Sequence, residues 1–485
     1  MKNYLIITLG TRDVQILKSK LIPNGWEIIG EANSKNFKIT KNDLELDVTP
    51  NSVYPDYFLL SPRKSGEYIL KNLSEILPII ELPLIQPLLN HLQEKNIQIT
   101  NYLIIYTDQE QSFKEKKINI SHFNNDTLYF KEIVLEILQN HMLLKNAQPD
   151  EYGIFEQVAN IDFQYDHFAV SCKDLLLDNP DNIGEILLLP QGGIDQINHA
   201  ITLQILQAFK HKVRLFQQPE SSEPIELNFN KKFLNDLNKQ KIQKHLDDYD
   251  FGLIDNTLHR NKKIYHLAQY AYKRLSLKNN QNQIHIDFLK KNESNYQFLD
   301  LDNSDYVKLK DLYISSKISL NHQDFNSFLW KIFTFNENLF TVKVEEVLGK
   351  TDKFFIPGNG KYDENIVWVD KLNRTNKNIV PELRRQGLHL SNPNRKVFFA
   401  ILPILFPHDS NLYLYQRLAV NLENLSQKRN KLAHKLGSVD KNQIKQLFGN
   451  DYSIENLMGD IDQLFNLQTP FGIYDQIKEE IEKLL

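Results

Sequence analysis

Glu185-Ile186-Leu187-Leu188-Leu189-Pro190-Gln191-Gly192-Gly193-Ile194-Asp195-Gln196-Ile197-Asn198 begins as an unbroken apolar run and ends as a polar turn around paired glycines. An uninterrupted run of this length reads as a strand buried on both faces, the kind found in parallel sheets covered by helices. The turn opens a helix that continues to Phe209. Paired glycines let the backbone approach a ligand closely, and the N-terminus of the helix offers free N–H groups. The spacing is not G-x-G-x-x-G, and Asp195 in the first helical turn repels a phosphate, which argues against a tight dinucleotide pyrophosphate grip. Gln191, Gln196 and Asn198 suit hydroxyls and base edges instead.

Two further strand-loops share this pattern. Tyr4 to Leu9 is an apolar run that breaks at Gly10-Thr11-Arg12-Asp13, and Tyr102 to Tyr106 ends in Thr107-Asp108-Gln109-Glu110. Val213 to Phe216 adds one more strand. In an open α/β sheet such carboxyl ends converge on one rim, where ligands bind. Between them the sequence predicts helices over Ser65 to Leu77, Pro87 to Lys95 and Asp126 to Leu144, the last capped by Asp126. Leu44 to Tyr57 reads as an edge hairpin, Tyr165 to Val170 as a strand and Lys173 to Leu177 as a short helix.

With 485 residues, 41% of them hydrophobic and 24% charged, the chain has material for several domains and a sizeable core. The single cysteine, Cys172, excludes an internal disulfide or a thiolate metal cluster and suits a reducing cytoplasm. Met1-Lys2-Asn3 leads straight into a strand, with no leader pattern, and the longest apolar run, Val397 to Phe406, is too short to span a bilayer. A net charge of −4 means that any nucleic-acid contact is a local patch.

Gln217 to Pro224 has the composition of a linker, and the rest of the chain reads as helices: Phe229 to Asp248, Asn256 to Leu275, Ser304 to Ser315, His322 to Leu348, Asn394 to Phe406, Leu412 to Leu436, Ile454 to Phe465 and Tyr474 to Leu485. Pro357 to Tyr362 reads as a turn. Within Leu412 to Leu436 lies Arg429-Asn430-Lys431-Leu432-Ala433-His434. Leu422, Leu425, Leu432 and Leu436 form one apolar stripe, and Arg429 falls on it, while Asn430 and His434, four apart, share another face. A guanidinium that offsets phosphate charge and an imidazole that moves protons are what RNA cleavage by the neighbouring 2′-hydroxyl requires. Two other Arg-to-His spacings occur, Arg384 to His389, interrupted by Gly387, and Arg260 to His266. Basic residues between Lys361 and Lys396, with Lys428, Lys431 and Lys435, could line a positive groove beside Arg429.

Arg429 and His434 in an all-helical tail resemble the R-x4-6-H motif of HEPN ribonucleases. Joined to the three ligand-type strand ends, they resemble the CARF–HEPN ribonucleases of type III CRISPR systems (the Csm/Csx accessory type). The resemblance implies a Rossmann-like α/β CARF domain over residues 1–218, a linker and helical connector over 219–320 and an all-α HEPN domain over 321–485. It implies a cytoplasmic homodimer of antiviral defence, allosterically activated by cyclic tetra- or hexa-adenylate, that cuts single-stranded RNA without a metal or other cofactor and without a membrane. Gly10, Thr11, Arg12, Asp13, Thr107, Asp108, Gln109, Gln191, Gly192, Gly193, Asp195, Gln196 and Asn198 would hold the activator, and Arg429, Asn430 and His434 would cut. A secondary expectation has the CARF-like domain cleave its own activator, with Thr11 positioning the ribose. A nucleotide sensor that acts through protein partners, and a HEPN nuclease under unrelated regulation, stay open as alternatives.

Overall fold

A computed structural model describes residues 2–30, 37–175, 182–219, 223–259, 261–292, 296–300, 302–355, 364–433, 440–448 and 452–485, with backbone only for 171–175, 292, 423–433, 445, 447 and 448. The expected turn over Pro357 to Tyr362 lies outside the described residues. The chain divides into two compact units, residues 1–234 and 235–485.

The described strands are β1 (Lys2–Thr8), β2 (Gln15–Leu17), β3 (Glu27–Ile29), β4 (Phe37–Lys41), β5 (Leu44–Pro50), β6 (Tyr57–Leu59), β7 (Ile80–Glu81), β8 (Asn101–Thr107), β9 (Gln148–Ile154), β10 (Ile183–Leu189), β11 (Val213–Gln217) and β12 (Ile225–Leu227). Helices α1 (Lys64–Lys71), α2 (Leu73–Ile76), α3 (Gln86–Glu94), α4 (Glu110–Lys114), α5 (Ile120–Asn124), α6 (Leu128–Gln139), α7 (Ile161–Leu175) and α8 (Asp195–Phe209) accompany them.

One sheet runs in the order β12-β11-β10-β1-β8-β9, parallel except for β12. Strand β1 is central: Ile6 pairs with Leu188 on one side and Leu103 on the other. Its alternate residues enter two cores. Leu5 and Ile7 pack with Leu88 and Leu89 of α3 and Phe130 and Ile133 of α6. Tyr4 and Ile6 pack with Phe168 of α7 and Ile197, Ile201 and Ile205 of α8. Burial on both faces is why this strand is apolar throughout. From β1 the chain steps to β8 and β9 on one side, then to β10 and β11 on the other, so the order reverses between β1 and β10.

A second sheet, β3-β4-β5-β6-β2-β7, is antiparallel and was expected only as a hairpin over Leu44 to Tyr57. Several of its strands are three residues or shorter, too short to carry a visible alternation. Two further corrections concern helices. Tyr165 to Val170 is part of α7, where Gln164 and Phe168, four apart, are both fully buried. Helix α6 starts at Leu128, and Asp126 does not cap it, because both its oxygens accept from Gln109.

The second unit, among the described residues, contains helices and no strand: most of α9 (Phe229–Asp247), then α10 (Lys262–Leu275), α11 (Gln283–Asn292), α12 (Asp305–Asn321), α13 (Phe325–Leu348), α14 (Ile366–Thr375), α15 (Ile379–Arg385), α16 (Arg395–Leu405), α17 (Leu412–Ala433), α18 (Lys441–Phe448), α19 (Ile454–Leu464) and α20 (Ile473–Leu484). One apolar core runs from Ile242 to Ile481 and includes α10, α11 and α12, from the segment expected to connect the two halves. Inside it Arg274 of α10 meets the Asp311 carboxylate of α12 through Nε and Nη2 at 3.0 and 3.1 Å, and the Tyr474 hydroxyl of α20 donates to the same carboxylate at 2.8 Å. No helix is long and apolar enough to cross a membrane, among the described residues.

Candidate functional site

At the carboxyl ends of β10, β1, β8 and β9 the first unit opens into a cavity of about 680 Å³. It lies where the strand order reverses, the usual ligand position in an open α/β sheet. Of the residues singled out from sequence, Gly10, Thr11, Thr107, Gln109 and Gly193 line it. The segments after β8 and β9 supply the rest of the wall, with Lys117, His122, Asn125 to Thr127 and Gln157 to Asn160.

The glycine loops close on each other. A Cβ on Gly10 would lie 2.2 Å from the Gly193 nitrogen, and one on Gly192 would lie 2.1 Å from the Thr8 carbonyl and 2.2 Å from Asp13 Oδ2. Gly193 adopts φ +79°, the left-handed region open to glycine. The Gly192 carbonyl accepts from Thr8 Oγ1 and Asn198 Nδ2, both at 2.8 Å. Asp13 is buried and accepts the Gly10 N–H at 2.5 Å; burial pushes its carboxyl up to about 7, against the pull of that N–H. Asp13, Gly192 and Asn198 therefore fix the loops from behind rather than line the cavity. Gln191 exchanges two hydrogen bonds with the backbone of Gln218, while Arg12 and Asp195 are exposed and Gln196 half-buried, all outside the cavity lining.

On the other wall the end of β8 is tied to the turn before α6. Thr107 N–H donates to Thr127 Oγ1 at 3.0 Å, and Thr127 N–H donates to Thr107 Oγ1 at 3.2 Å. Gln109 donates to both Asp126 oxygens, through its backbone N–H at 2.7 Å and its side-chain amide at 2.8 Å. Asp108 turns away from the cavity to pair with Arg63. Burial raises the Asp126 carboxyl above the usual range, with the Gln109 hydrogen bonds and the Arg63 charge opposing.

In the second unit α17 carries Leu414, Leu418 and Leu422 into the core, and its backbone continues through Arg429 and Asn430 to Ala433. The side chains of Arg429 and Asn430, and His434 as a whole, lie outside the described residues. Of the rival spacings, Arg384 sits at the end of α15, ion-paired with Glu364 at 3.0 and 2.7 Å, and Gly387 at φ +69° follows that helix before His389. Arg260 is outside the described residues, and His266 Nδ1 meets His285 Nδ1 at 3.0 Å. Arg374 and Arg385 also have carboxylate partners, Asp370 and Glu382. A groove of about 410 Å³ lies along α16 and α17, lined by Gln386, Leu388, Arg395, Lys396, Ala419 and Val420 among others. Arg429 stands nine residues beyond Val420, roughly 14 Å along the helix axis.

Residues 298–482 match the family described as the Cas_Csm6 HEPN domain. The fold is similar to that of a solved structure, Enterococcus italicus Csm6 bound to cyclic hexa-2′-fluoro-hexa-dAMP, with a TM-score of 0.50 and 14% identity over 82% of this chain and 95% of that one. No curated protein matches the chain. The match by family thus covers the C-terminal part of the chain, and the likeness to that Csm6 structure over most of the length is one of fold.

Proposed function

We propose that the protein is an endoribonuclease of type III CRISPR defence, switched on by a cyclic oligoadenylate. The observation that carries the reading is the match of residues 298–482 to the Csm6 HEPN domain. The activator belongs in the cavity at the strand ends of residues 1–218, whose lining of Thr11, Thr107, Asn125 and Gln157 offers hydroxyls and amides to ribose and base edges. The solved relative in fold holds a six-membered adenylate ring, which favours cyclic hexa-adenylate over the tetra-adenylate. Residues 219–320 carry the signal, and residues 321–485 cut.

In the reaction the 2′-hydroxyl attacks the adjacent phosphorus, the bond to the 5′-oxygen breaks, and a 2′,3′-cyclic phosphate remains. His434 serves in moving the proton from the 2′-hydroxyl or to the leaving 5′-oxygen, Arg429 offsets the charge that builds on the phosphorus oxygens, and Asn430 orients His434 or holds a phosphate oxygen. One helix offers one such histidine, so a homodimer that faces two of them supplies both base and acid. No metal enters this scheme.

A fluorescent single-stranded RNA incubated in EDTA tests the reading, with no ring, cyclic tetra-adenylate or cyclic hexa-adenylate. Cleavage is expected with the hexa-adenylate and is expected to fall by about 10²- to 10⁴-fold in His434→Ala, as for loss of a general acid or base. Undiminished cleavage by that variant removes His434 from the site. Ring binding without cleavage by the wild type favours the non-catalytic sensor. Thr11 lines the cavity, which favours the second reading that the first unit slowly opens its own activator. Ring recovered whole after long incubation with His434→Ala counts against it.

A further inference from the structure

We infer that Arg63, delivered from the turn between β6 and α1, is the residue that positions the β8 wall of the cavity and keeps that wall compatible with an anionic ligand. The nature of the ligand rests on the proposed function; the positioning role does not. Arg63 is 6% exposed and lies outside the cavity lining. Its Nη2 pairs with Asp108 and stands 3.5 Å from Asp126 Oδ2, while Nη1 stands 3.9 Å from Glu110. The guanidinium lies over the Phe123 ring at 4.3 Å, and that ring stacks on Phe113 at 4.4 Å. Its backbone N–H donates to the Asn124 carbonyl, so the same residue also holds the turn that carries Asn125.

The charges decide what this arrangement does. Asp108, Glu110 and Asp126 surround one arginine. Asp126 lines the cavity and aligns Gln109, which lines it too. Without the guanidinium a buried carboxylate would face a phosphate-bearing ligand uncompensated, and a buried charge stripped of its partner is costly. Lysine cannot replace it fully, because stacking on Phe123 while bridging two carboxylates needs the planar fork. The antiparallel second sheet thereby acquires a task, since strand β6 leads directly into the residue that organises the neighbouring cavity.

The test compares wild type, Arg63→Gln, Asp126→Asn and the double variant by calorimetric binding of cyclic hexa-adenylate and by the ring concentration that half-activates RNA cleavage. Arg63→Gln is expected to raise both constants roughly ten- to a hundred-fold, the worth of a buried charged hydrogen bond. The effect should fall on the activating concentration far more than on the rate at saturating ring. Adding Asp126→Asn should bring the constants back to within a few-fold of wild type, because it removes the one fully buried carboxylate of the three, while Asp108 and Glu110 reach solvent. A role in packing alone would not be rescued, since Asp126→Asn does not refill the space of the lost arginine. An unchanged affinity in Arg63→Gln, or no rescue in the double variant, overturns the inference. If the wild type binds no ring, the ligand reading fails, and hydrogen exchange then tests Arg63: the amides of Gln109 and Thr127 should exchange faster in Arg63→Gln and slow again in the double variant. Exchange that does not change overturns it.

Discussion

At the scale of single residues, Asp13 carries the clearest consequence for pH. Its carboxyl is raised from 3.8 to about 7 by burial. Between pH 4 and 7 the folded chain keeps a proton that the unfolded chain has released, so this group's contribution to stability falls as pH rises and levels off above 7. A shift of about three units corresponds to at most on the order of 4 kcal/mol. Asparagine at this position still accepts the Gly10 N–H without a charge. Asp13→Asn should therefore match wild type in urea unfolding near pH 4 and exceed it at pH 8; equal midpoints at both pH values would show that Asp13 is not buried as a carboxyl. The glycines beside it are fixed by the space between the loops. Gly10→Ala must push two backbones apart, and a loss of about 1–3 kcal/mol is expected for such overpacking. A melting temperature like that of wild type would mean that the loops lie further apart.

Elements were legible in the sequence where both faces are buried and obscure where they are not. Strands β1, β8, β10 and β11 announce themselves as apolar runs because the sheet is covered on both sides. Strand β9, Gln148-Pro149-Asp150-Glu151-Tyr152-Gly153-Ile154, has only Ile154 buried; it is an edge strand that owes its form to backbone pairing with β8. Because β9 was not visible, neither was the loop after it, which brings Gln157 and Asn160 to the cavity. Helix α7 carries Tyr165, Phe168 and Val170, residue types that favour strands, and only the four-residue spacing of Gln164 and Phe168 betrayed its period. The glycine loops were legible by composition; Arg63 was not, since its partners Asp108 and Asp126 are 45 and 63 positions away. Among the helices of the second unit the bond between α10, α12 and α20 can be tested directly. Asp311→Ala leaves Arg274 buried beside Tyr474 with its main counter-charge gone, and a loss of about 3–5 kcal/mol in chemical unfolding of the full chain is expected. A loss under 1 kcal/mol would mean that water reaches this cluster.

For the whole molecule, the two units divide the proposed work between a parallel sheet with a cavity at its strand ends and a helical domain with a single core. The central place of β1 has a consequence for how the protein is made. Strand β1 leaves the ribosome before either of its neighbours, β8 on one side and β10 on the other, and Thr8 bonds to Leu189, 181 positions later. At about 5–20 residues per second, β1 waits roughly 10–40 s for its second neighbour. Throughout that interval an apolar strand, built to be covered on both faces, has at least one edge and one face without their native partners. Nascent chains stalled before Leu189 should remain open to limited proteolysis and to chaperones, whereas chains stalled after Gln217 has cleared the exit tunnel should resist both. The residue order that puts β1 at the centre of the sheet thus also makes its translation a period of exposure.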